Sequence, residues 1–357
     1  MPMPMRFRTL GHSGLRVSEL CLGAMTFGDA WGWGANADVS RKQYESYRAA
    51  GGNFVDTADF YTGGQSEEIC GQLIAPEREK IVLATKFTLT RIAGDANGAG
   101  NGRKNMTQAV EASLKRLKTS YIDLYWVHVW DQITPLEELM RGLDDLVRAG
   151  KVLYVGVSDF PAWQVARANT LAELRGWSHF VGLQVPYSLI RRDIERELAP
   201  MARGLGLGIT PWSPLAGGLL SGKYTKADIG GASASPTDKA QDRRNMVKAG
   251  LTDDKLRIAE SAKAVAARIG KSPSQVAVRW VMQRPGVTST ILGARTLEQL
   301  QDNLGALDFE LDAAAMAELD QASKIDLGFP HDFLGGPNVT QFTSAGVSIE
   351  RNSPRLY

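Results

Sequence analysis

Ile122-Asp123-Leu124-Tyr125-Trp126-Val127-His128 is a short, mostly apolar run that ends on an imidazole. Its length and its β-branched and aromatic content suit a buried strand, and a helical pattern at 135–147 follows it. Two runs upstream have the same form. Ile81-Val82-Leu83-Ala84-Thr85 stops at Lys86 before a helical pattern at 105–117, and Gly52-Asn53-Phe54-Val55 stops at Asp56 before one at 66–74. Further out, residues 20–23 pair with 40–50, 152–157 with 161–174, 181–185 with 193–201, 207–211 with a helix starting near Thr252, and 287–292 with 296–304. Strict alternation of strand and helix implies a parallel sheet, and eight such units imply closure into a (β/α)8 TIM barrel of the α/β class.

One domain is expected over residues 1–357, with an N-terminal β-hairpin at 6–17, the barrel at 18–308 and a C-terminal helix and tail at 309–357. The His12-Ser13-Gly14 turn lies within the hairpin, which would plug the N-terminal end of the barrel. Ser40-Arg41-Lys42-Gln43 has the spacing of a capping box at the start of the first barrel helix. Ser272-Pro273 opens an additional helix at 274–283. Residues 89–104, 226–250 and 326–357 have weak periodicity. The first two follow strands three and seven and would overhang the C-terminal rim as long loops. The third carries Phe329, His331 and Phe333 and is expected to fold back as a wall of a pocket.

With 43% hydrophobic and 22% charged residues in 357, the chain can bury a large core. A net charge of +2 gives no reason to expect nucleic acid or an anionic membrane as partner. The two cysteines, Cys21 and Cys70, suit reduced buried thiols in a cytoplasmic protein better than a disulfide framework. No run reaches the length of a membrane span, and the first six residues lack the apolar stretch of a signal peptide.

Catalytic sites of such barrels lie at strand ends. Asp56, Lys86 and His128 end the second, third and fourth barrel strands, and Tyr61 lies five residues past Asp56. Taken singly, a loop tyrosine is most often a packing residue and a strand-end lysine most often solvated. Together the four form a proton-donor system. Reducing a carbonyl requires hydride at carbon and a proton at oxygen, and a phenol with a pKa of about 10 is a poor donor unless a cation assists it. Lys86 would be that cation, Asp56 its counter-ion, Tyr61 the general acid, and His128 the group that directs the carbonyl oxygen or shares the proton.

Asp56-Thr57-Ala58-Asp59-Phe60-Tyr61, the strand-end Lys86 and Asp123-Leu124-Tyr125-Trp126-Val127-His128 resemble the active-site signatures of the aldo-keto reductases. Gly156-Val157-Ser158, Gln184-Val185-Pro186-Tyr187, the segment from Ser213 to Leu220 and Gly293-Ala294-Arg295 extend the likeness over residues 6–325. It is similar to the branch that includes bacterial oxidoreductases resembling potassium-channel β-subunits. The resemblance implies an NADPH/NADP+-dependent oxidoreductase without a Rossmann domain. It implies that Ser158, Asp159 and Gln184 hold the nicotinamide carboxamide, that Trp212 stacks on the ring, and that Met25 lies beside the cofactor. Ser213, Pro214, Leu215 and Gly217 would bring backbone amides to the pyrophosphate, with Lys223 adding charge. Gly293, Arg295, Gln299, Asp302 and Asn303 match the segment for adenosine and the 2′-phosphate, at a helix N-terminus. Thr296-Leu297-Glu298-Gln299 is also a capping box, so Gln299 would serve the helix as well. Arg243 or Arg244 would clamp the same phosphate or stay solvated. Relatives mostly carry asparagine where this chain has Asp159, and a carboxylate cannot donate to the carboxamide oxygen.

Trp31, Trp33, Phe60, Phe87 and Trp130 would form an aromatic substrate pocket, favouring aromatic aldehydes, quinones or ring ketones over small sugars. The expected partner is a small-molecule carbonyl or alcohol, with a homo-oligomer possible. An NADPH-binding sensor or partner subunit is the main alternative. No metal is expected, because His12, His128, His179 and His331 are scattered.

Overall fold

A computed structural model of the chain describes residues 5–230 and 247–349. Strands β1 (Phe7–Thr9) and β2 (Arg16–Ser18) form an antiparallel hairpin, with Arg8 opposite Val17. Eight parallel strands follow: β3 (Leu20–Gly23), β4 (Phe54–Asp56), β5 (Val82–Phe87), β6 (Ile122–Val127), β7 (Val152–Ser158), β8 (Phe180–Gln184), β9 (Gly208–Ile209) and β10 (Thr290–Leu292). Their order is β10-β3-β4-β5-β6-β7-β8-β9. The ends meet through Thr288 N donating to Ile209 O (2.8 Å) and Ile291 N donating to Pro211 O (2.9 Å), which closes the (β/α)8 barrel.

β6 reads as a continuous apolar run because both of its faces are buried. Leu124 and Trp126 point into the barrel with Phe54, Val82 and Ala84, whereas Tyr125 and Val127 pack outward against the helices. Trp126 fills the interior. A Cβ added at Gly156 in β7 or Gly182 in β8 would lie 2.3 or 2.8 Å from its indole, so these strand positions require glycine. The hairpin closes the N-terminal end, as expected. Leu10 is fully buried among the interior residues, and His12 N donates to Gly206 O at 2.8 Å. Gly11, at φ +56°, packs so closely there that a Cβ would fall 2.3 Å from Gly206 O.

The outer layer comprises α1 (Ala37–Ala49), α2 (Gln65–Ile74), α3 (Arg103–Leu117), α4 (Leu136–Arg148), α5 (Ala162–Arg175), α6 (Leu198–Gly204), α7 (Asp253–Ile269), α8 (Pro273–Met282) and α9 (Leu297–Leu304). Helix α10 (Ala313–Ala322) and the short α11 (His331–Leu334) and α12 (Pro337–Thr343) complete the described chain. Several starts differ from the sequence reading. Asn36 caps α1 by accepting from Val39 N, so the expected box at Ser40 lies inside the helix, where Ser40 Oγ donates to Ala35 O. The helix expected at 193–201 is a 3-10 turn, Asp193–Glu195, followed by α6. At α8 the capping box of Ser272 with Gln275 is complete, with Pro273 in the first turn. Among the described residues no helix is long and apolar enough to cross a membrane.

At the rim the loops after β5 and β6 are fastened together. Asn101 Nδ2 donates to Val129 O (3.1 Å), and Asn101 N donates to Asp131 Oδ2 (2.7 Å). The described part of the tail, up to residue 349, does not form the expected pocket wall. His331 Nε2 pairs with Glu197 Oε1 at 2.8 Å, while Phe329 and Phe333 are largely exposed and their rings meet at a tilt, 6.3 Å between centroids.

Candidate active site

Three strand ends and one loop bring the four proton-handling residues together. Lys86, wholly buried on β5, donates from Nζ to Asp56 Oδ2 at 2.5 Å and to Thr57 O at 2.8 Å. Asp56 Oδ1 accepts from Gln184 Nε2 at 3.0 Å, which ties β4 to β8 across the barrel mouth. Tyr61 reaches the mouth because three successive residues, Thr62, Gly63 and Gly64, adopt left-handed backbone angles that reverse the chain. Thr62 fixes that reversal by donating to Phe27 O and accepting from Ser66 N. The Tyr61 ring then lies 4.7 Å from Lys86 Nζ and edge-on to His128, with centroids 5.7 Å apart.

Electrostatics follow from this enclosure. Burial raises the Tyr61 phenol above its ordinary value, while the Lys86 ammonium pulls it down. Burial alone would discharge Lys86, but Asp56 and Tyr61 together hold its pKa above the usual lysine range. His128 is pushed down to about 3 by burial and by the charge of Lys86, and its Nδ1 has no hydrogen-bond partner. It is therefore a neutral imidazole at working pH.

A cavity of about 620 Å³ opens from these groups along the rim. Asp56, Tyr61 and His128 line its inner end with Trp31, Phe60 and Leu89. Ser158, Asp159, Gln184 and Trp212 form one side, and Met25 borders it. Beyond them come Ser213, Pro214, Leu215, Gly217 and Lys223, and at the far end Gly293, Arg295, Gln299 and Asn303. The expected cofactor-side residues thus share one continuous cavity, apart from Arg243, which with Arg244 lies outside the described residues. Gln299 also accepts from Arg295 N (3.0 Å), while Thr296 Oγ1 accepts from Gln299 N, so the box expected at 296–299 is displaced by one residue.

Three of the five expected aromatic positions lie elsewhere. Phe87 is wholly buried and stacks on Tyr125 in the layer between barrel and helices. Trp130 packs on Phe160 and Trp163 beside a separate cavity of about 280 Å³ between α4 and α5. Trp33 lies behind Trp31, ring centroids 5.5 Å apart, outside the cavity wall. Conversely, Leu89, Tyr224 and Ser274 line the cavity without having been singled out. Ser274 had a signal, the Ser272-Pro273 helix start that aims a helix N-terminus at this space.

A model of the aldo/keto reductase family matches residues 19–324. The chain belongs to the aldo/keto reductase family. Among similar proteins are a norsolorinic acid reductase of Aspergillus flavus, 38% identical over 90% of this chain and 82% of the relative, and an aryl-alcohol dehydrogenase of Pestalotiopsis microspora, 36% identical over 92% and 85%. An NADP(+) aryl-alcohol dehydrogenase of Phanerodontia chrysosporium is 35% identical over 90% and 86%. This aldo/keto reductase is accordingly an oxidoreductase of a family that works on carbonyls and alcohols with a nicotinamide cofactor.

The residues present fit such a cofactor. Trp212 offers a flat wall, its backbone N–H bonded to Val185 O (2.9 Å) and its indole to Asp159, and Gln184 Oε1 is left to accept after Nε2 is used on Asp56. Gly217 and Gly218 are left-handed and leave the cavity side without Cβ atoms, while Lys223 and Arg295 supply positive charge at the far end.

Behind the reductase's Tyr61 loop is a buried polar cluster that sequence reasoning missed. Asp59 has no hydrogen-bond partner on either carboxyl oxygen, with Arg91 Nε at 3.9 Å. Glu67 beside it accepts from Thr85 (2.5 Å) and Arg116 (2.7 Å). Burial, then the charge of Glu67, pushes Asp59 up to about 8.

Proposed function

We propose that this enzyme reduces an aromatic aldehyde or ring ketone to the alcohol with NADPH, reversibly, with Tyr61 as general acid. The observation that carries the reading is the meeting of Tyr61, Lys86, Asp56 and His128 at the inner end of a cavity that also has Trp31 and Phe60 in its wall. The names of the fungal relatives, a norsolorinic acid reductase and aryl-alcohol dehydrogenases, support an aromatic substrate class.

In this reading the substrate oxygen sits between the Tyr61 hydroxyl and the neutral His128 ring. The bound cofactor supplies the hydride to the carbonyl carbon. As negative charge develops on oxygen, the phenol proton passes to it, and the phenolate left behind is stabilised by the Lys86 ammonium. Asp56 keeps that ammonium aimed, and Gln184 keeps Asp56 aimed. His128 donates a hydrogen bond without ionising, so Lys86 is the cation that sets the phenol's acidity. Ser158 and Gln184 would hold the carboxamide, Trp212 the ring face, and Arg295 the 2′-phosphate, which favours NADPH over NADH.

The test is NADPH consumption with a reactive aromatic aldehyde or quinone, wild type beside Tyr61→Phe. Loss of general-acid catalysis should lower turnover by about 10²–10⁴-fold with NADPH affinity unchanged. Equal turnover in the variant would remove Tyr61 from its role. NADPH binding with no wild-type turnover would refute reduction as the function, and a preference for free aldoses would refute the aromatic class.

A further inference from the structure

Asp159 stands in the cavity wall with an ionisable group where neutral donors and acceptors would serve a carboxamide equally well. It directly follows Ser158 at the end of β7, at φ +48°. The residue is exposed and lines the cavity. Trp212 and Gln184 line the same side. Burial within the cavity raises its carboxyl pKa, opposed by the Trp212 indole, Lys86 on β5, Arg191 on the loop after β8, and Ser158.

The other titratable groups at this end are Tyr61, Lys86, His128 and Asp56. Tyr61 is raised above its ordinary value, Lys86 is raised, and His128 is lowered to about 3. Asp56 is engaged by Lys86 and Gln184. Asp159 adds a second carboxyl to this wall, coupled electrostatically to Lys86 and Tyr61.

A nicotinamide differs between its two redox forms by one positive charge on the ring. The ring must approach Tyr61 and His128 to react, and Asp159 belongs to that end of the cavity. We propose that Asp159 sets the redox-state preference of this site: its carboxylate holds the cationic oxidised nicotinamide more tightly than the neutral reduced one. This rests on the reading above that the cavity takes NADP(H). The 2′-phosphate is common to both forms and cancels from their ratio.

The experiment is calorimetric titration of wild type and Asp159→Asn with NADP+ and with NADPH at pH 8. Asparagine suits the variant because it tolerates the left-handed backbone. The affinity for NADP+ relative to NADPH should be about tenfold higher in wild type than in Asp159→Asn. Ratios that agree within twofold, or a higher ratio in the variant, overturn the proposal. Failure of either cofactor to bind the wild type refutes the nicotinamide reading itself, and the proposal with it.

Discussion

Replacing Lys86 by methionine removes the cation and nearly preserves the shape, which isolates the electrostatics of the buried pair. Asp56 would retain one donor, Gln184 Nε2 at 3.0 Å, in a site where the residue is 3% exposed. Stranding one member of a buried ion pair costs about 3–5 kcal/mol. The carboxylate can escape by taking a proton, at about 1.4 kcal/mol per pH unit above the ordinary aspartate range, or about 4 kcal/mol at pH 7. The two routes agree. For 357 residues the unfolding entropy is about 0.7 kcal/mol per degree, so the midpoint should fall by about 5 °C at pH 7. In the variant, folding takes up a proton at Asp56, so the penalty grows with pH above the ordinary aspartate value and vanishes below about pH 4. Adding Asp56→Asn removes the stranded charge, and the double variant should recover at least half of the loss. Thermal melts followed by far-ultraviolet circular dichroism at pH 4 and 7 measure all three proteins. A Lys86→Met midpoint within about 1 °C of wild type at pH 7, or a double variant no better than the single one, would refute the account of this pair.

Other substitutions probe the remaining features. Asp59 is raised to about 8 in the folded protein, so the folded state holds its proton longer than the unfolded chain and stability declines as pH climbs from about 4 to 8. Asp59→Asn should flatten that slope, its advantage over wild type being larger by about 4 kcal/mol at pH 8.5 than at pH 5 in denaturant melts; an equal difference at both pH values would contradict it. Gly156→Ala drives a methyl to 2.3 Å from the Trp126 ring and should cost about 3 kcal/mol, largely relieved by adding Trp126→Phe. A melting curve of Gly156→Ala identical to wild type would show that the barrel interior gives way. Arg295→Ala should weaken NADPH about 10–100-fold in fluorescence titrations while leaving NADH unchanged, and parallel losses for both would remove the 2′-phosphate role.

The barrel and the meeting of Asp56, Tyr61, Lys86 and His128 at its rim were legible because strand ends are marked by where apolar runs stop. Asp56, Lys86 and His128 each follow such a stop, and Tyr61 follows at a loop length that Gly63 and Gly64 make workable. The aromatic pocket was less legible because parity fails at loop boundaries. β5 runs on to Phe87, so the alternation that turns Lys86 to the mouth turns Phe87 to the helices. Trp130 has the parity of His128, but the Asn101–Asp131 clasp redirects the loop toward α5. Trp33 is bracketed by the left-handed glycines 32 and 34, whose bends place it behind Trp31. Asp59, Glu67 and Arg116 were invisible as a unit, since charged residues in a loop and on two helices read as surface until packing shows them facing one another.

The hairpin at the base of the barrel has a kinetic corollary. Among the described residues, Leu10 and Trp126 fill the interior and His12 is latched to Gly206, so the barrel is packed solid beneath Asp56 and Lys86. In the proposed reading cofactor and substrate therefore share the rim as their approach, and the occupancy of one shapes the path left to the other.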